Sequence, residues 1–157
     1  MEIVSLSGKN RAPVDRYVRE EWGGPMIVTL GKPYDAGLLP GYAAVEGGQL
    51  VGAVLYRICG GECEITVLYA LVENHGVGSA LLRQVLKCAV ERGCRRVWLV
   101  TTNDNTHAIR FYQRFGFALK AVHIDSMKIT RTLKPGLPER GIDGIPLAHE
   151  FEFEILL

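Results

Sequence analysis

Apolar residues along this chain change their period several times, and each change marks an element. Ile3 to Leu6 reads as a short first strand. After Pro13, which suits a first helical turn, Val14, Tyr17, Val18 and Trp22 recur at helical spacing until Gly23-Gly24-Pro25 ends the helix. Met26 to Leu30 is a short extended run, and Gly31 to Gly41, punctuated by Pro33, Gly37 and Pro40, reads as a polar connection. Gly41 to Glu46 and Gln49 to Ile58 are strands joined at Gly47-Gly48, a hairpin signal; Cys59-Gly60-Gly61 makes a second turn into Glu62 to Leu71. These three strands form an antiparallel meander.

The second half begins with helical spacing. Leu81, Leu82, Val85, Leu86 and Ala89 mark one face and Arg83, Gln84, Lys87 and Glu91 the other, with Gly93 where a left-handed cap belongs. Arg95 to Thr102 is a largely apolar strand reached through that helix, so it is expected parallel to the Glu62 strand. Asn103-Asp104-Asn105 breaks it and offers an N-cap at Asn105 to a helix carrying Ala108, Ile109, Tyr112 and Phe115, closed by Gly116. Phe117 to Ile124 is another strand, Asp125 to Lys134 a short helix, and Pro135 to Leu147 mostly loop. His149 to Leu157 alternates Phe151, Phe153 and Ile155 against Glu150, Glu152 and Glu154, the pattern of a half-buried final strand whose glutamates face solvent. At a cleft, those carboxylates would attract a cationic amine.

Composition narrows the class. With 157 residues, 48% hydrophobic and 22% charged, the chain fits one globular domain spanning 1–157. A net charge of +1 gives no overall attraction to nucleic acid or an anionic membrane, so any polyanion site is local and neither is expected as a partner. No apolar run approaches the ~20 residues that span a bilayer, and the start lacks a basic segment followed by an apolar one; the expected location is cytoplasmic. Cys59, Cys63, Cys88 and Cys94 show no C-x-x-C spacing, and His107, His123 and His149 are widely spaced, so buried thiols and no metal are expected.

The junction where alternation gives way to helical periodicity, Gly76-Val77-Gly78-Ser79, carries the chemistry. A helix start leaves backbone N–H groups unpaired at the positive end of the macrodipole, and the glycines remove side chains that would block an anion. A dinucleotide fingerprint would need glycine at Leu81, and a nucleotide-hydrolase phosphate loop needs Lys then Ser or Thr after its last glycine; neither is present.

Strand, glycine turn, long helix, parallel strand and Asn-initiated helix, with Glu73-Asn74-His75-Gly76-Val77-Gly78 and Asn105 to Phe117 ending Phe111-Tyr112-Gln113-Arg114-Phe115-Gly116-Phe117, together resemble the GNAT superfamily of acetyl-coenzyme-A-dependent N-acetyltransferases. The resemblance covers about Gly41 to Val122. It implies an α+β domain of three layers, a mixed central sheet with helices on both faces. It also implies that the amides around His75 to Ser79 hold the coenzyme A pyrophosphate, with Glu73, Asn74, Gly76, Val77 and Gly78 on the same turn. The strand edge at Leu68, Tyr69 and Ala70 would pair with pantetheine, and Asn105 and Tyr112 would contact the cofactor. The chain departs from the family at Glu73, where Arg or Gln is usual, so there only the backbone argument transfers; His75 either compensates for that charge or faces solvent.

Acetyl transfer to an amine needs a base to remove an ammonium proton and an acid to protonate the departing thiolate. The resemblance implies Tyr112 as acid; as residues alone, an aromatic on the core side of its helix reads equally as packing. Glu64 is the candidate base, directly or through water, against a solvated carboxylate on an alternating strand, with Glu62 as rival. A strand amide near Leu68 would steady the carbonyl oxygen. The expected reaction is direct attack by a primary amine on acetyl-CoA in a ternary complex; the alternative is a non-catalytic acyl-CoA-binding module, which needs neither Tyr112 nor a base. The acceptor, small molecule or protein, would be held by Trp22 to Pro40 and Asp125 to Leu147, and a homodimer through the last strand follows from family analogy alone.

Overall fold

A computed structural model describes residues 1–157. The strands are β1 (Glu2–Ser5), β2 (Met26–Thr29), β3 (Lys32–Asp35), β4 (Gly41–Glu46), β5 (Gln49–Cys59), β6 (Glu62–Ala70), β7 (Arg96–Thr102), β8 (Ala118–His123) and β9 (Glu150–Leu156); the helices are α1 (Ala12–Trp22), α2 (Val77–Glu91), α3 (Thr106–Phe115) and α4 (Met127–Leu133). Seven strands form one mixed sheet in the order β1-β4-β5-β6-β7-β9-β8, and β2 and β3 make a separate two-stranded ribbon. No helix is long and apolar enough to cross a membrane. The chain divides into two compact units, residues 1–27, 35–97 and 157, and residues 28–34 and 98–156.

The first unit is the meander. β1, β4, β5 and β6 pair antiparallel in turn, and α2 lays Leu81, Leu82, Val85 and Ala89, all fully buried, into the core, as their spacing requires. α1 buries Val14 and Val18 and ends at Gly23, whose φ of 73° only glycine adopts freely. The β5–β6 ladder is broken by one extra residue. Leu55 pairs with Val67 and Tyr56 with Ile65, so Thr66 has no partner across the ladder, and its Oγ1 donates to the Leu55 carbonyl at 3.1 Å.

In the second unit β8 and β9 pair antiparallel from Ala118↔Glu154 to His123↔Glu150. Tyr112 of α3 packs edge-on against Phe111 and Phe117 and lies 6.4 Å, ring centre to ring centre, from Phe153 of β9. Asn103 ties down the segment before β9: its Oδ1 accepts from the Ala148 and His149 amides and its Nδ2 donates to the Pro146 carbonyl.

Two expectations change. The connection from Gly31 to Gly41 contains β3, a strand that Pro33 hid from a reading based on apolar alternation. The glutamate face of the last strand is not solvated: Glu150 is 3% and Glu152 8% exposed. Alternation reports two faces but not which is covered, and here Leu30 lies against Glu150 and His123 of β8 against Glu152.

Candidate active site

The β6–α2 turn is open at its backbone. Gly76 is the N-cap of α2 at φ 72° and ψ 13°, no side chain caps the helix, and Asn74 also takes a left-handed conformation at φ 58°. The first internal helical bond runs from the Ala80 amide to the Gly76 carbonyl at 3.0 Å, so the Val77, Gly78 and Ser79 amides precede the helical ladder. Glu73, Asn74 and His75 are exposed. The His75 Nδ1–H donates to the Glu73 carbonyl at 2.5 Å, which turns the imidazole back onto its own turn. Gly52 of β5 lies beneath this start. A Cβ there would stand 2.6 Å from the Tyr69 carbonyl oxygen and 2.7 Å from Val77 Cγ1, so glycine lets the strand pass close under the helix.

β6 leads into this turn. The Leu71 amide donates to Val51 at 2.8 Å, and by antiparallel alternation the backbone groups of Tyr69 also face β5 while those of Leu68 and Ala70 face away. That outward edge is the one a ligand with amides of its own would need. Leu68 is half-buried, Tyr69 buried and Ala70 exposed.

Glu64, the candidate base, is 1% exposed and faces Arg57 across the ladder, with Arg57 Nη1 3.1 Å from its Oε1. The reading of Glu64 as a solvated carboxylate is therefore wrong. Its partner across the ladder, on β5, is a cation, which compensates a charge no isolated carboxylate could keep in the interior. Its rival Glu62 is tied to Arg96 Nε at 2.6 Å. Tyr69 stacks on Tyr17 of α1 with ring centres 3.7 Å apart and planes 18° apart, and its buried hydroxyl has no hydrogen-bond partner. Burial, with Tyr17 and Asp15 nearby, pushes its phenol pKa upward.

In the second unit Asn105 and Tyr112 share α3. Asn105 caps the helix, its Oδ1 accepting from the Ala108 amide at 3.1 Å. Tyr112 is 9% exposed, and burial pushes its phenol pKa further above the ordinary value. Two residues escaped sequence reasoning. Tyr17 reads only as a helix-face aromatic until Tyr69 stacks on it, and Glu150 reads as one of three equivalent glutamates until burial and an unpartnered Oε1 set it apart. No group of three or more His, Cys, Asp or Glu side chains is arranged to hold a metal ion.

Residues 10–117 match the family model of the acetyltransferase (GNAT) family. Among curated proteins, YdhI of Bacillus subtilis (strain 168) is 39% identical over 138 residues, 87% of this chain and 86% of YdhI. YxbD of the same strain is 33% identical over 151 residues, 96% and 95% of the two chains. Among solved structures, a GNAT family acetyltransferase from Elizabethkingia anophelis with acetyl-CoA bound superposes with a TM-score of 0.73 at 17% identity, covering 99% of this chain and 97% of that one.

Proposed function

From the premise that this chain belongs to the acetyltransferase (GNAT) family and is an acetyl-CoA-dependent enzyme, we propose that it acetylates a primary amine by direct attack within a ternary complex. The observation that carries the reading is the start of α2: a glycine cap in the left-handed region, no capping side chain, and successive amides ahead of the helical ladder. Those amides and the helix dipole would hold the pyrophosphate. Glu73 adds no attraction to phosphate, so the grip rests on the backbone of His75, Gly76, Val77, Gly78 and Ser79. The outward edge of Leu68 and Ala70 would pair with pantetheine, and Asn105 and Tyr112 would contact the cofactor from α3.

Acetyl-CoA supplies the activated acetyl group as a thioester. The chain supplies the proton chemistry. An alkylamine with a pKa near ~10.4 is mostly ammonium at neutral pH and must lose a proton before nitrogen attacks. Glu64 would accept it, directly or through water. The amide near Leu68 would steady the oxygen as charge develops. Tyr112 would give its proton to the departing thiolate.

The test follows free thiol released from acetyl-CoA against a panel of amines, with Tyr112→Phe and Glu64→Gln alongside. Amine-dependent release that drops at least tenfold in each variant, while coenzyme A binding persists, is the expected result. Unchanged rates in both variants would overturn these roles.

A further inference from the structure

We propose that Glu150 binds an ammonium group of the acceptor, which is therefore a di- or polyamine carrying a second positive charge besides the nitrogen acetylated. The proposal rests on the acetyl-transfer reading above and adds the charge of the substrate to it.

Glu150 differs from the other buried glutamates. Glu64 faces Arg57, and Glu152 Oε1 lies 2.9 Å from His123 Nε2. Glu150 is 3% exposed, yet its Oε1 has no hydrogen-bond partner and its Oε2 receives only the Leu30 amide at 3.4 Å. No cation lies within ion-pair distance of it. His123 sits opposite Glu150 in the β8–β9 register, but its imidazole is engaged by Glu152. A buried carboxylate in this condition is costly unless a cation completes it. Asp104, also buried with one unpartnered oxygen, is a different case. Its Oδ2 takes the Ile142 amide at 2.9 Å and stands where a Cβ on Gly141 would be, so it has a part in the fold.

Position and cover support a ligand role. Glu150 follows His149, whose carbonyl accepts the Asn103 amide at 3.0 Å, and Asn103 is two residues from Asn105. Over it lies the Leu30-Gly31 turn, with φ of 49° and 75°. That turn holds Glu150 by one long hydrogen bond. An ammonium donor reaches a carboxylate at about 2.7–2.9 Å and gains roughly twice the energy of a neutral pair, so it outcompetes the Leu30 amide. The nitrogen that attacks the thioester must be neutral, so the ammonium at Glu150 is a second one.

The experiment compares 1,4-diaminobutane with butylamine in wild-type protein, Glu150→Gln and Glu150→Asp, with melting temperature and the acetyl-CoA KM measured for each. The expected result is a kcat/KM at least tenfold higher for the diamine in wild type, carried by KM. That preference is lost in Glu150→Gln and partly kept in Glu150→Asp, while the acetyl-CoA KM stays within twofold. Removing an uncompensated charge leaves the melting temperature of Glu150→Gln equal or higher, whereas a structural role would lower it. A wild type without the preference, or a Glu150→Gln that keeps it, overturns the proposal. Should no amine release thiol from the wild type, the acetyl-transfer reading has failed, and calorimetric titration with 1,4-diaminobutane decides the site separately: binding lost in Glu150→Gln supports it, and no binding to wild type overturns it.

Discussion

Glu64 and Tyr69 project from the same face of β6, although their odd offset would put them on opposite faces of a regular strand. Residues directly opposite in an antiparallel ladder point the same way. Glu64 is opposite Arg57 and Tyr69 opposite Ala53, and on β5 those partners differ by an even step. The extra residue Thr66 makes the difference. It brings the candidate base and the Tyr17–Tyr69 stack onto one surface, and leaves Cys63, Ile65, Leu68 and Ala70 on the other.

Tyr69→Phe is expected to stabilise the protein or leave its stability unchanged, because the substitution removes a buried hydroxyl that has no partner. An unsatisfied buried group of this kind costs about 1–3 kcal/mol, so a rise in melting temperature of a few degrees is the expected reading in a thermal scan. A fall of several degrees would show that the hydroxyl is bonded.

Gly52→Ala tests whether the floor of the cofactor turn matters to binding. The new methyl meets the Tyr69 carbonyl and Val77 Cγ1, and overpacking of this sort costs about 1–3 kcal/mol. Because both contacts flank the start of α2, coenzyme A affinity measured by calorimetry is expected to fall at least fivefold. Gly8→Ala, with nothing within 4 Å of its Cβ position, is the control and keeps the wild-type affinity.

Arg57→Met removes the cation that Glu64 faces across the ladder. Breaking a buried pair from one side costs about 3–5 kcal/mol, reduced here because the Arg57 side chain is 27% exposed. Glu64→Gln is expected to cost less, and the double variant less than Arg57→Met alone. Urea midpoints of the three proteins measure the order.

Cys63 links stability to alkaline pH. Burial, then Cys94 and Cys88, raise its thiol to about 12 from 9.0. A group whose folded pKa lies above its unfolded value contributes stability that is complete below the unfolded pKa and is lost as pH rises through the folded one. Stability should therefore decline between about pH 9 and pH 12, and less steeply in Cys63→Ala. In thiol titration of the native protein at pH 8, Cys59 is exposed and reacts, while Cys63, Cys88 and Cys94 are buried and react only after unfolding.

Local chemistry carried much of this protein in the sequence. Gly47-Gly48 and Gly60-Gly61 set the hairpins because left-handed turns need glycine, and each of the four has a positive φ. Asn105 caps α3 because a short polar side chain reaches back to an amide three residues on. The Gly76 turn was legible for the same reason, since an anion site made of backbone is written in missing side chains.

What depended on partners distant in sequence was decided only in the folded chain. Period-two alternation cannot reveal that Thr66 is an extra residue, because a bulge exists only relative to the strand opposite. Nor can it separate Glu150 and Glu152 from a solvated stripe, because what covers them comes from elsewhere in the chain, the Leu30-Gly31 turn at Glu150 and His123 of β8 at Glu152. Backbone conformation follows from a few adjacent residues, whereas desolvation of a charge is set by whatever packs over it, and at Glu150 that is Leu30, 120 positions away.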